Sequence, residues 1–241
     1  MRTVVVIPVY NEQAYIQQCL DCLSRQTVLP DEVLVVNNNC NDNTLAIART
    51  YAFVRIVNEG QQGICAATKT GFDESAQTAD IILRCDADSR PPRQWVQKIE
   101  EAFNDEDTIG ITGPGTFYEL HGVKKRLAET LYMKAYFLTV GLALRQKPLF
   151  GSNCAIRSSA WKNVSKEVHL HRQDIHDDID ISFHLAKQGR LVYLPNVKMP
   201  ISPRPLTSLG SLLRRFPMGM RSIVIHWPEQ APWNLYKARR N

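Results

Sequence analysis

Residues 3–8 read Thr-Val-Val-Val-Ile-Pro, a β-branched run with no polar alternation. A strand of this kind has no face to offer water, so it has to be covered on both sides, as strands are inside a parallel sheet flanked by helices. The chain must then supply helical crossovers, and it does. Asn11 is placed to cap a helix whose apolar positions Ile16, Leu20 and Leu23 recur at helical spacing. Strands are expected at Glu32–Val36, Phe53–Val57 and Ile81–Cys85, with helices over 42–51 and 64–75 between them. This alternation is the pattern of successive βαβ units. The fold class that follows is α/β, a mostly parallel central sheet with helices on both faces. At 241 residues and 44% hydrophobic content the chain can build one such domain, or one with a modest lobe, but not two.

The second half is less regular. A helix through Trp95, Ile99 and Phe103 leads to a strand at 109–112 and a Gly113-Pro114-Gly115 break. Residues 122–146 read as one long helix rich in apolar side chains, more readily explained by packing on the sheet than by contact with a lipid or hydrophobic acceptor. A strand opening at Gly151, a helix from Asp177 to Lys187 and a strand at 191–194 follow. Three prolines between Pro200 and Pro205 then read as a linker into a basic, amphipathic extension over 201–241.

The charge of +5, from 29 basic and 24 acidic residues, is mild, and the excess collects at Arg214, Arg215, Arg221, Lys237, Arg239 and Arg240. That distribution excludes a nucleic-acid stripe and leaves an anionic substrate or an acidic membrane surface as its partner. Leu212, Leu213, Phe216, Met218 and Met220 interleave with the arginines. The tail can therefore dock on an anionic bilayer, cap the functional site or form a dimer surface, and Pro217 and Gly219 are expected to interrupt its helix. Six cysteines without a framework, no secretory signal before the first strand and no apolar stretch of spanning length give the expectation of a reduced, cytoplasmic protein, peripheral at most to the inner face of the membrane.

The residues with chemistry sit at strand ends. The run Ile81–Cys85 dies into Asp86-Ala87-Asp88. Two carboxylates at the mouth of an open α/β sheet suit a hard divalent cation, Mg²⁺ or Mn²⁺, shared with a diphosphate, although Asp-x-Asp before Ser-Arg-Pro-Pro is also good turn chemistry. The first strand ends in Pro8-Val9-Tyr10-Asn11-Glu12 and the second in Asn37-Asn38-Asn39. In a parallel sheet these three ends share one crevice, where Asn37 could pair with a base edge and Glu12 could accept from a sugar or base. Far along the chain lie Asp174, Asp177, Asp178 and Asp180, with His169, His171 and His176 beside them. First-turn acids are what a helix dipole favours anyway. One of them, Asp178, is also placed to take a proton from an attacking hydroxyl. The histidines could supply a metal ligand or nothing.

Five segments in order, Pro8–Glu12, Val36–Thr44, Asp86–Asp88, Gly151–Arg157 and His176–Leu185 with Gly189 and Pro195, resemble family 2 glycosyltransferases of the GT-A fold over roughly residues 3–195. The resemblance implies an inverting, metal-dependent transfer of a sugar from a nucleotide-sugar donor to an acceptor hydroxyl on a saccharide or lipid-linked molecule. It implies a nucleotide-binding half over about 1–115 and an acceptor half over about 116–200. Pro8, Tyr10, Glu12, Asn37 and Asp86 would line the nucleotide pocket, with Asp86 toward the ribose. Asp88, with Asp86, would hold the cation, Asp178 would be the general base, and Asn153 and Asp177 would face the sugars. This chain departs from the family in carrying Asn37 for the usual Asp, and Ala67-Thr68-Lys69-Thr70-Gly71 where Ala-Arg-Asn-x-Gly is usual, so that Lys69 stands in for an arginine near the diphosphate. The basic tail is only distantly similar to that of processive synthases, which favours single addition. Two rivals remain, a nucleotidylyltransferase and a non-catalytic nucleotide- or sugar-binding module.

Overall fold

The computed structural model describes residues 1–206 and 209–227, with side chains at all of these except 205 and 209–214. The opening run forms β1 (Thr3–Val9), buried along its whole length. It lies between β2 (Glu32–Asn37) and β4 (Ile81–Arg84), and β2 carries β3 (Val54–Asn58) on its far side, all in parallel. Helices α1 (Ile16–Leu23), α2 (Thr44–Ala48) and α3 (Ile64–Ser75) make the crossovers. Alternate residues of β1 serve opposite layers: Val4 and Val6 join Leu34, Phe72, Ile82 and Trp161, while Val5 and Ile7 join Val33, Leu83, Trp95 and Phe103. Each of these four β1 side chains, fully withdrawn from water, contributes about 1.5–3 kcal/mol. Gly71 lets α3 approach this closely, because a Cβ there would sit 2.4 Å from Val6 Cγ1 and 2.9 Å from Val36 Cγ2.

Helix α4 (Trp95–Ala102) leads into β5 (Thr108–Thr112), a short β6 (Gly115–Phe117), the long α5 (Gly122–Leu144) and β7 (Cys154–Arg157). Then come α6 (Ser158–Val164), α7 (Asp177–Leu185), β8 (Arg190–Tyr193), β9 (Met199–Ile201), a one-turn 3₁₀ helix at Arg204–Leu206, and α8 (Leu209–Val224). The main sheet has seven strands in the order β3-β2-β1-β4-β7-β5-β8, and β6 pairs with β9 in a second, two-stranded sheet. Strand β7 runs against both neighbours, Cys154 pairing with Arg84 on one side and Thr112 on the other. The start of β7 therefore lies on the same rim as the ends of β1, β2 and β4.

Several details differ from the sequence reading. Asn11 is not an N-cap: it takes φ +54° and its Oδ1 accepts from the Asn41 N–H at 2.9 Å, while α1 starts only at Ile16. Asparagine tolerates the left-handed region, and here that ability joins two strand-end loops. The proline-rich linker at 200–205 is part of β9 and the 3₁₀ turn, which hold Arg204 over the rim. Helix α8 runs through Pro217, which removes one helical hydrogen bond without ending the helix. Helix α5 does pack on the core through Met133, Phe137, Val140 and Leu144, yet Val123, Leu127, Leu131, Leu138 and Leu142 form a separate exposed apolar stripe. All six cysteines are free. Among the described residues no helix is long and apolar enough to cross a membrane. Lys237, Arg239 and Arg240, and the side chains of Leu212, Leu213 and Arg214, lie outside what is described.

Candidate active site

The shared rim opens into a cavity of about 840 Å³. From the first half of the chain Pro8, Tyr10, Glu12, Asp86 and Asp88 line it, and from the second Tyr132, Tyr136, Gly151, Asp177, Asp178, Arg204 and Arg215. A buried cation, Arg84, helps to join the two halves. Arg84, the last residue of β4, places Nη1 2.9 Å from Asp177 Oδ2 and Nη2 3.2 Å from Asp86 Oδ1. Burial works against the charge on Arg84, but the fields of Asp177 and Asp86 outweigh it and hold the guanidinium protonated beyond its ordinary range. Thr68 donates to the same Asp177 oxygen at 2.6 Å, and Ser152 Oγ donates to Asp86 Oδ2 at 2.5 Å. Gly151 is required beneath this pair, since a Cβ on it would lie 2.4 Å from Arg84 Nη1.

Asp178 opens α7 beside Asp177. Its Oδ2 accepts from the Gly151 N–H at 2.9 Å and its Oδ1 from the Ile179 N–H at 2.8 Å, so the carboxyl is fixed in orientation. Burial, then the neighbouring Asp177 charge, raise its pKa above the usual carboxylate range. A carboxylate raised in this way is a better proton acceptor than a solvated one.

Across the cavity Asp88 and Glu12 share Arg204. Arg204 Nη2 lies 2.7 Å from Asp88 Oδ2, and its Nη1 lies 3.0 Å from Glu12 Oε2. The guanidinium also stacks over Tyr15, 4.3 Å from the ring centroid. Even so, burial and then the charge of Asp86 push Asp88 up to about 6. Burial likewise raises Glu12. Oxygen-only donors crowded at the end of a strand, one pushed toward its neutral form by another, fit a hard divalent cation. The Arg204 guanidinium takes the place of such a cation at Asp88.

Pro8, Tyr10, Glu12, Asp86, Asp88, Asp177 and Asp178 are thus brought to one cavity. Asn37, Lys69 and Asn153 stand outside its wall. The Asn37 amide is spent on Asn58 Oδ1 (2.8 Å) and the Cys40 N–H (2.9 Å), and the neighbouring Asn38 lines the cavity instead. Lys69 pairs with Asp73 one turn along α3 at 2.5 Å. Asn153 is buried, accepting from Trp95 Nε1 at 2.8 Å and donating to the Val197 carbonyl at 2.7 Å. Asp177 faces Arg84, so its contact with the cavity is through an ion pair already made. Of the three histidines before α7, His176 accompanies α8 through the Arg215 carbonyl, 3.1 Å from its Nε2, and His169 and His171 lie away from the cavity.

Four site residues escaped the sequence reading. Arg84 was a lone cation in an otherwise apolar strand, a signal that the strand end meets a buried acid. Arg204 lay in a stretch read as linker. Tyr132 and Tyr136, four apart and therefore on one helical face, were read only as part of an apolar helix.

The sequence matches the Glycosyl transferase family 2 profile over residues 4–164. The chain belongs to glycosyl transferase family 2. Glycosyltransferase AglE of Haloferax volcanii is 32% identical over 183 residues, which is 73% of this chain and 54% of AglE. Two solved structures show the same GT-A fold. TarS of S. aureus superposes with a TM-score of 0.68 at 15% identity, covering 94% of this chain and 39% of TarS. The mannosyltransferase PcManGT from Pyrobaculum calidifontis, solved with GDP-Man and Mn²⁺, gives 0.67 at 19% identity, covering 100% of this chain and 64% of that one. The chain spans about half the length of AglE, and less of TarS.

Proposed function

We propose that this glycosyltransferase moves a sugar from a nucleotide-sugar donor to an acceptor hydroxyl with inversion, and that Asp178 is the general base. The observation that carries this reading is that Asp178, oriented by two backbone N–H groups and raised in pKa, faces the same cavity as the Asp86–Asp88 pair. In the proposed displacement the acceptor oxygen bonds to the anomeric carbon as its proton passes to Asp178, and the bond from that carbon to the nucleoside diphosphate breaks. Base catalysis of this kind contributes typically about 10²–10⁴-fold. Asp88 and Asp86 would hold a divalent cation, which when bound offsets charge on the departing diphosphate. Pro8, Tyr10 and Glu12 would receive the nucleoside, while Tyr132, Tyr136 and Arg215 would form the acceptor side.

Asp178→Asn keeps the volume and one of the two backbone contacts, since an amide nitrogen cannot accept the other N–H, and it removes the base. Calorimetry with donor and Mn²⁺ should give binding close to wild type while transfer falls by about 10²-fold or more. Transfer near the wild-type rate would refute the assignment.

The fit to a lipid-linked acceptor at the inner face of the membrane rests on exposed apolar residues. The α5 stripe and Phe216, Met220, Val224 and Trp227 of the C-terminal segment are exposed, with Arg221 among them. Interfacial binding of such a surface adds apolar burial to attraction for anionic lipid. Co-sedimentation with phosphatidylglycerol vesicles, falling at high salt, would support it. No binding at either salt would leave a saccharide acceptor as the reading.

A further inference from the structure

Behind α7, on the side away from the cavity, three histidines from separate parts of the chain converge on one oxygen. His169 Nδ1 lies 2.8 Å from Asp180 Oδ1, His226 Nε2 3.1 Å and His184 Nε2 3.8 Å. The four ligand-type atoms of His169, Asp180, His184 and His226 all lie within 4.8 Å of one another. Asp180 is completely buried, and the side chains of His184 and His226 are only 6% and 3% exposed. Among the described residues, neither ring nitrogen of His184, nor Nε2 of His226, has an aligned hydrogen-bond partner. One carboxylate oxygen cannot satisfy three imidazoles, and leaving buried polar atoms unpaired is costly.

We propose that His169, Asp180, His184 and His226 bind a divalent d-block cation, with zinc the expected occupant. Three imidazoles and a carboxylate are a borderline-soft, four-donor set, which suits zinc and not the hard cation suited to Asp86 and Asp88. Bonds of about 2.0–2.2 Å in a tetrahedron place donors about 3.4 Å apart, so His169 and His226, at 2.8 and 3.1 Å, part slightly from Asp180 Oδ1 while the widest-spaced donors close by about an ångström. The surroundings already orient the donors. Asp180 Oδ2 accepts from the His169 backbone N–H at 2.8 Å, leaving Oδ1 directed at the rings. Glu167 Oε2 lies 3.7 Å from His184 Nδ1, on the opposite side of that ring, where metal-bound histidines commonly meet a carboxylate. The Phe183 ring stacks on His226 at 4.5 Å and 9°, fixing its plane.

The consequence concerns the cavity. His184 and Asp180 belong to α7, which carries Asp178, whereas His226 follows α8, whose Arg215, Phe216 and Met218 line the cavity. A cation here ties the cavity wall to the helix of the proposed base without touching the reaction. It would be a structural centre, closed by four protein ligands.

Cobalt substitution tests this independently of transfer activity. Co²⁺ held by four donors of this kind absorbs intensely in the visible, whereas a six-coordinate, oxygen-ligated ion absorbs weakly. The full chain, stripped with a chelator, should take up one equivalent of Co²⁺ with the intense bands, lose them on adding Zn²⁺, and melt at a higher temperature with either ion. His184→Gln and His226→Gln should each abolish the bands, Glu167→Gln should weaken uptake about 10-fold, and Asp88→Asn should retain them. If the histidine variants fail to fold, His169→Gln repeats the test at the most exposed ring. Absence of intense bands in the wild type, or their persistence in the folded histidine variants, would overturn the proposal and leave the role of Asp178 untouched.

Discussion

Replacing Arg84 by Met should destabilise the protein far more than deleting an ion pair normally does. The two contacts of Arg84 are unequal. Asp86 is about one-third exposed, and a pair with such a partner is screened, worth about 1 kcal/mol or less. Asp177 is different, because both side chains are almost completely buried, at 4% and 7% exposure. Removing one partner strands the other charge, at about 3–5 kcal/mol. With an unfolding entropy of about 0.5 kcal/mol/K for 241 residues, that lowers the melting temperature by about 6–10 °C. Removing both charges should reverse most of the loss, since a buried pair barely repays its own desolvation. The double variant Arg84→Met/Asp177→Leu would still leave Thr68 Oγ without its acceptor, a residual cost of about 1–3 kcal/mol. Adding Thr68→Val should recover that too. Urea unfolding of the single, double and triple variants reads the series directly. A single variant within about 1 kcal/mol of wild type, or a double no better than the single, would refute the claim that Asp177 is held by Arg84 rather than by solvent.

Asp88, held up at about 6 against an ordinary value near 4, binds its proton more tightly when folded than when unfolded. Its ionisation therefore costs stability progressively from about pH 4 to 6 and fully above, so Asp88→Asn should gain on wild type between pH 5 and 7 in thermal unfolding, and Mn²⁺ should protect wild type more at pH 7 than at pH 5. A pH-independent difference would contradict this. Gly151→Ala forces Arg84 aside and moves the N–H that orients Asp178. Steady-state kinetics should show kcat lower by about 10²-fold, as for an ångström of misplacement, with donor binding less affected; an unchanged kcat would show the turn to be irrelevant. Arg204→Gln removes the competing cation from Asp88, and because that pair is 42% exposed on the arginine side it should tighten nucleotide-free Mn²⁺ binding by at most about fivefold. Weaker binding in calorimetry would mean that Arg204 assists the cation instead.

The parallel sheet was readable because β1 and β4 are apolar on both faces and only one architecture buries such strands. The cavity's carboxylates were readable because they sit directly at strand ends, so topology alone gathers them. What could not be read depended on reversal and return. Nothing in Cys154–Arg157 announces that β7 runs backwards, and without that reversal Gly151 and Ser152 have no reason to meet Arg84 and Asp86. Arg204 is 116 residues from Asp88, in a proline-rich stretch whose local signal is irregular chain. Asn37, Lys69 and Asn153 show the converse difficulty. Each is polar and close in sequence to a strand end or the glycine-bearing helix, but their hydrogen bonds go to neighbouring structure, which no spacing rule reveals.

The backward strand has one more consequence. The stretch from Gly113 to Asn153 leaves the rim where β5 stops and comes back to it where β7 starts, so both of its ends are anchored within a few ångströms of the same place. The exposed outer part of that excursion, short of the Gly151–Ser152 turn that holds Asp178 and Asp86, can be lengthened or shortened without cutting the strands on which Tyr10, Glu12, Asp86 and Asp88 are mounted. On the reading proposed above, selectivity for what receives the sugar is modular in this protein, whereas selectivity for what gives it is built into the sheet.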